Sequence, residues 1–150
     1  MPGDVNQAWR WIGWLSLALA LAGLTDWILA WIPPRFGNIE WEFATIVSTI
    51  AGLPLITLGI AGLAGSAVAR GIRWQLITIG LIAVIWGIVI LGLLLVFLLD
   101  VPVALKMVRG PAHLGVMKAT AKTLVLAVLF CTVYLTVGVS SLRRAIRSKG

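Results

Sequence analysis

Asp26 is the one carboxylate inside the first long apolar stretch of the sequence, which runs from Trp11 to Ile32. An acid within a membrane-spanning segment is costly and is a functional hypothesis by default. Its chemistry would be the coupling of a proton or a cation. The alternative is an interfacial acid that reaches the headgroups or pairs with Lys118 or Lys122, because Asp26 is close to the end of the stretch. The sequence leaves both interpretations open.

A second group of polar and aromatic residues lies in the connections between the apolar stretches. The first connection is acidic around a tryptophan, and the third is basic with the single histidine. These residues are Glu40, Trp41, Glu42, Lys106, Arg109 and His113. An acidic connection on the same predicted side as a basic one suggests that the two dock. A partner surface built on Trp41 is equally open. We predict no metal site, since the two glutamates and His113 lack any ligand spacing.

Catalytic and cofactor chemistry finds little support. His113 is the only histidine and Cys131 the only cysteine. A bis-histidine haem needs two histidines. A catalytic Cys-His pair would need the two side chains in contact, but His113 lies in a predicted connection and Cys131 in the middle of a predicted span. No GxGxxG, Walker A, HExxH or CxxC pattern occurs. We therefore expect no enzyme activity and no cofactor.

The elements that carry these residues are apolar helices. Residues from Trp74 to Leu99 include no ionisable side chain, and the whole chain is 61% hydrophobic with a mean hydropathy of +1.07. In hydrocarbon the backbone must satisfy its own hydrogen bonds, which a helix does within one segment. We predict an all-α integral membrane protein of one domain over residues 1–150. Its four spans cover residues 11–32, 43–69, 74–99 and 120–142.

Prolines and small residues predict how these spans bend and pack. Pro54 removes a backbone donor inside the second span and frees the carbonyl of Ile50, so we expect a kink there, with Thr49 or Thr57 as a compensating donor. Apolar residues at helical spacing within 101–109 predict a short interfacial helix that ends at Gly110.

Spans associate in lipid through close contacts between small residues, and each span offers a row of them. The first span carries Ala18, Ala22 and Asp26. The rows on the other spans predict a compact antiparallel bundle. The predicted packing seam consists of Ser48, Gly52, Gly59, Gly62, Gly80, Ala83, Gly87 and Gly138.

The net charge of +7 is carried mostly at the ends of the spans, which favours membrane topology signals over nucleic-acid binding. Lysine and arginine are more numerous on the side of both termini and the second connection. That balance predicts a multi-pass protein of the cell (inner) membrane with both termini in the cytoplasm. These basic residues are predicted to bind anionic lipid or to act only as topology anchors, the commoner role of such a cluster. They are Arg70, Arg73, Arg143, Arg144, Arg147 and Lys149.

These observations favour a small membrane protein without catalytic machinery. We expect an accessory, assembly or scaffold subunit of a membrane complex, with the bilayer and either other membrane subunits or copies of itself as partners. The alternative is a small oligomeric transporter or channel that uses Asp26 as its coupling carboxylate. A transporter would need a polar cavity, and the sequence offers few residues to line one.

Overall fold

The computed structural model describes residues 2–147 and consists of four long helices. They are α1 (Pro2–Ala30), α2 (Ile39–Ala69), α3 (Arg73–Met107) and α4 (Pro111–Arg147). All four are long and apolar enough to cross a membrane. The all-helical, four-span part of the sequence prediction is therefore confirmed, and the chain has the features of a membrane protein.

The connections are short and start where the sequence provides a stop or a cap. The side chain of Asn38 accepts a hydrogen bond from the backbone N–H of Trp41 at 3.0 Å and so caps the start of α2. Gly71 and Gly110 adopt positive φ angles of 65° and 72° in the turns after α2 and α3. Such φ angles favour glycine, so the two glycines let the chain reverse within three residues.

The predicted interfacial helix between the third and fourth spans is wrong. The segment is helical, but it continues α3 without a break to Met107, passing through Pro102. A proline inside a helix leaves a single carbonyl without its usual partner, here that of Leu98, and the helix survives that loss when its side chains pack. Ala104 is only 8% exposed, so this last part of α3 belongs to the bundle.

The helices form two antiparallel hairpins, α1 with α2 and α3 with α4, joined through α2. Helix α2 contacts each of the other three, whereas no Cα atom of α1 lies within 8 Å of one in α3 or α4 among the described residues. The core lies along α2, α3 and α4 and includes Leu53, Ile90 and Phe97, each fully buried.

The outer surface of the bundle is apolar, as lipid contact requires. Leu58, Ile85 and Val125 are each at least 60% exposed. Since lipid tails are as apolar as leucine, contact with lipid costs these side chains no free energy.

Pro54 lies inside α2, as expected, but neither threonine compensates it in the way the sequence suggested. The hydroxyl of Thr57 donates to the carbonyl of Leu53 at 2.8 Å and lies 3.1 Å from the hydroxyl of Tyr134. The hydroxyl of Thr49 is buried without a hydrogen-bond partner. The threonine thus ties α2 to α4 instead of capping the carbonyl of Ile50.

Candidate functional site

Asp26 lies on the exposed side of α1, one turn before the helix ends at Ala30. Neither Lys118 nor Lys122 pairs with it: both belong to α4, and no Cα atom of α4 lies within 8 Å of one in α1 among the described residues. Its carboxylate therefore faces outward from the bundle. Within one copy of the described chain, the pairing suggested by the sequence is not formed.

Ala18 and Ala22 are exposed together with Asp26 and continue its row along α1. We call these three residues the Asp26 face. The sequence analysis expected this row to pack inside the bundle, and that expectation is wrong. Positions two residues apart on a helix differ by about 200° in direction, so the row that begins at Ser16 and includes Ala20 points the opposite way.

That opposite row forms the contact between α1 and α2. A methyl group added at Gly59 would lie 2.6 Å from the backbone nitrogen of Ala20, so the two helices touch backbone to backbone there. Gly62 lies directly against Ser16. Nearer the termini, the hydroxyl of Ser66 donates to the carbonyl of Trp9 at 2.9 Å. Small residues thus allow the close approach, and a hydroxyl adds a polar contact.

Glycines also bring α3 and α4 together. A methyl group at Gly80 would meet the carbonyl oxygen of Gly138 at 3.2 Å, and the thiol of Cys131 donates to the carbonyl of Gly87 at 3.5 Å. Ala83 is fully buried between these positions. By contrast, Ser48 is exposed and a methyl group at Gly52 would meet nothing within 4 Å.

The polar residues that a transport path would need are not brought together. Thr57 faces α4 through its contact with Tyr134, whereas Thr78 lines a groove between α1 and α3. Asp26 lies on the outer side of α1, and Ser48 is exposed on α2. These four residues therefore do not line one common cavity within a single copy.

The end of the bundle that holds the first and third connections has an aromatic cluster. The rings of Trp31 and Trp41 are 5.8 Å apart, and that of Phe36 lies 5.6 Å from Trp41. The backbone N–H of Gly37 donates to Glu42 at 2.6 Å. Trp41 and Glu42 thus stabilise the first connection itself.

Glu42 lies near Asp100 of α3, close enough for the two acids to interact electrostatically. Phe43 stacks on Phe97 at 5.2 Å beneath them. The start of α2 therefore meets the C-terminal part of α3, through aromatic packing and between groups of like charge.

The bases of the third connection lie apart from these acids. Lys106 and Arg109 are exposed and His113 is half-buried, and none forms an ion pair with Glu40 or Glu42 among the described residues. Within the same residues, no group of three or more histidine, cysteine, aspartate and glutamate side chains is placed to hold a metal ion. Docking of the two connections by charge stays a prediction.

The opposite end of the bundle is basic. It holds the start of α1, the turn between α2 and α3, and the end of α4. Five of the six predicted anchors lie at this end: Arg70, Arg73, Arg143, Arg144 and Arg147. The sixth, Lys149, lies outside the described residues. Arg70 is half-buried and hydrogen-bonded, and the three arginines of α4 are exposed. We call this the basic end.

Comparison with known proteins gives no family to which the chain can be assigned: no family model, no curated protein and no solved structure matches it.

Proposed function

We propose that this protein is a non-catalytic accessory, assembly or scaffold subunit of a complex in the cell (inner) membrane, with both termini in the cytoplasm. The observation that carries the proposal is the Asp26 face. It combines a carboxylate and two small residues on a part of α1 that the chain's own helices leave uncovered.

Physical chemistry favours a second helix on this face. Ala18 and Ala22 are four residues apart, the spacing that lets two helix backbones approach closely in lipid. Asp26 lies about 6 Å along the axis from the end of α1, where an exposed carboxylate is still poorly solvated. A neighbouring helix with a hydroxyl, amide or basic side chain at that depth would satisfy it.

The peripheral position of α1 supports the same proposal. Among the described residues its backbone approaches that of α2 alone, and Trp27 reaches Trp86 of α3. Much of its surface is therefore free to bind a partner without rearrangement of the core. A subunit that docks through one helix needs no catalytic group, and its remaining helices then hold that helix in place.

Transport through Asp26 is the alternative, and it has weaker support. Asp26, Ser48, Thr57 and Thr78 do not converge within one copy. Only self-association that turned the Asp26 face inward would give the carboxylate a shared path. The same experiment separates the two functions, because it identifies what covers the face.

A photoreactive amino acid placed at Ala22 tests the proposal in native membranes. We expect one protein adduct of defined mass, and we expect Asp26→Ala to reduce its yield several-fold while the helical content stays unchanged. The matched control is the same probe at Val128, which is 55% exposed on α4 and should capture lipid.

Lipid adducts alone at both positions would refute a docking role for the face. An adduct of the chain with itself would shift the interpretation to the transport alternative. A different membrane protein in the adduct would identify the complex.

A further inference from the structure

A groove of about 480 Å³ runs between α1 and α3 at the basic end. It exists because both helices pack on α2 while their own backbones stay apart. Leu63 of α2 lies between them, with Leu17 on the α1 side and Ile79 on the α3 side. The groove is therefore open to the membrane along one side.

Two arginines lie at the mouth of this groove, Arg10 from α1 and Arg70 from the end of α2. The guanidinium of Arg70 is held in place, since it donates to the carbonyl of Ser66 at 3.3 Å and to the side chain of Gln75 at 2.9 Å. Its other N–H groups have no partner among the described residues. A positioned guanidinium with free donors suits a phosphate group.

No acidic side chain offsets these charges among the described residues that line the groove. Trp14 and Trp74 stand beside the arginines, one on each wall. Tryptophan is typical of headgroup depth in membrane proteins. The mouth therefore combines positive charge with the residues that mark the membrane surface.

Beyond the mouth, the groove becomes apolar. It meets a second cavity of about 350 Å³ at Ile82, which lines both. From Trp74 to Trp86 the distance along α3 is about 18 Å. One leaflet contributes about half of a hydrocarbon core roughly 30 Å thick. The combined groove thus has the length of one acyl chain in one leaflet.

A ring contact limits what can occupy the groove. Trp27 of α1 and Trp86 of α3 meet edge to face at 5.2 Å, so these side chains bridge the two helices beside the second cavity. A transmembrane helix could not lie in the groove along its whole length without parting these rings. A molecule confined to one leaflet fits without doing so.

We propose that the groove binds one anionic phospholipid from the leaflet at the basic end. Its phosphate lies between Arg10 and Arg70, and one acyl chain follows Leu17 and Ile79 towards Trp86. The site is distinct from the Asp26 face, because Arg10, Trp14 and Leu17 line the groove whereas Ala18, Ala22 and Asp26 do not. Lipid binding would brace α1 against α3, to which it has little direct contact.

Native mass spectrometry of the whole protein tests this proposal. The protein is released from nanodiscs that contain equal amounts of dioleoyl phosphatidylglycerol and dioleoyl phosphatidylcholine, and the retained lipids are counted. We expect one phosphatidylglycerol to be retained in preference. Arg10→Gln with Arg70→Gln should lower that preference about tenfold or more, as expected for the loss of charge-assisted hydrogen bonds.

The matched control removes two arginines from the same end of the bundle without touching the groove. Arg143 and Arg147 are exposed on α4. Their replacement by glutamine should leave the preference unchanged. An equal loss of preference in both double variants would overturn the proposal, because it would mean that the basic end attracts anionic lipid without a defined site. The absence of any preference in the parent protein would also overturn it.

A second pair of variants keeps every charge and blocks the apolar part of the groove. Leu17→Trp should reduce the retention of phosphatidylglycerol several-fold, whereas Leu15→Trp, on the exposed side of α1, should not. Equal retention in the two would overturn the proposal even if the arginine variant failed to fold.

Glycerol phosphate distinguishes a lipid site from a site for free phosphate. It has the headgroup chemistry but no acyl chain, so we expect millimolar amounts to leave the bound lipid in place. Displacement of the lipid would contradict a site that depends on the groove.

Discussion

Replacement of Gly59 by alanine should push α1 away from α2. The added methyl carbon would lie 2.6 Å from the backbone nitrogen of Ala20 and 2.7 Å from the carbonyl oxygen of Ser16, whereas ordinary contact begins near 3.4 Å. Both are backbone atoms, so no side chain can rotate out of the way. Helix α1 must therefore move by about 0.8 Å, the difference between ordinary contact and the shorter distance.

A shift of that size reduces the free energy of unfolding in two ways. It overpacks one point, which typically costs about 1 to 3 kcal/mol. It also opens a gap along the rest of the contact, and a gap of roughly 0.5 to 1 Å forfeits about a quarter to a half of each dispersion contact. We expect Gly59→Ala to destabilise the protein by about 1 to 3 kcal/mol.

Gly52→Ala is the matched control on the same helix. A methyl group there would meet nothing within 4 Å. The same chemical change should therefore leave the free energy of unfolding unchanged or raise it by up to about 1 kcal/mol, because alanine has the higher helix propensity. The assay is unfolding by sodium dodecyl sulfate in mixed micelles, followed by circular dichroism. Equal midpoints for the two variants would refute the backbone contact between α1 and α2.

Two further predictions concern the core and the topology. Tyr134→Phe should lower the free energy of unfolding by about 0.5 to 1.5 kcal/mol in the same assay, because it removes one hydrogen bond while Thr57 keeps its backbone acceptor. A larger loss would mean that the hydroxyl of Tyr134 makes further stabilising contacts besides the one to Thr57. In intact cells, an impermeant thiol reagent should label Phe36→Cys and spare Ile146→Cys, since the second lies at the predicted cytoplasmic end, and the buried Cys131 should give little background. Labelling of Ile146→Cys but not of Phe36→Cys would contradict the predicted topology.

The helices could be predicted from the sequence because hydropathy and chain length determine them almost alone. The stretch from Trp74 to Leu99 has no ionisable residue, and only a helix satisfies its backbone in lipid. The end of α3 could not be predicted in the same way. Asp100 and Pro102 are typical of a helix end, but packing around Ala104 outweighs one missing hydrogen bond.

The packing of α1 was beyond sequence reasoning for a different reason. The helix carries two rows of small residues on opposite sides, one through Ala18 and Ala22 and one through Ser16 and Ala20. Both have the spacing that favours close helix contact. Only the position of Gly59 on the partner helix selects between them, and a single sequence does not show which rows meet.

The lipid groove also depends on an arrangement that spacing does not reveal. Arg10 and Arg70 lie 60 positions apart in the chain, and each is an ordinary topology signal by itself. They line one groove because α1 and α3 share α2 as a neighbour and leave a space between them. Their joint chemistry appears only when the helices are in place.

The most direct test of the proposed subunit role is the mass of the intact native particle after extraction into nanodiscs. The account predicts a particle in which the 16.1 kDa chain is joined in fixed ratio by at least one other membrane protein. Loss of that partner protein from the Asp26→Ala particle would show that the partner binds at α1. A particle that holds one copy of this chain and lipid alone would contradict the account.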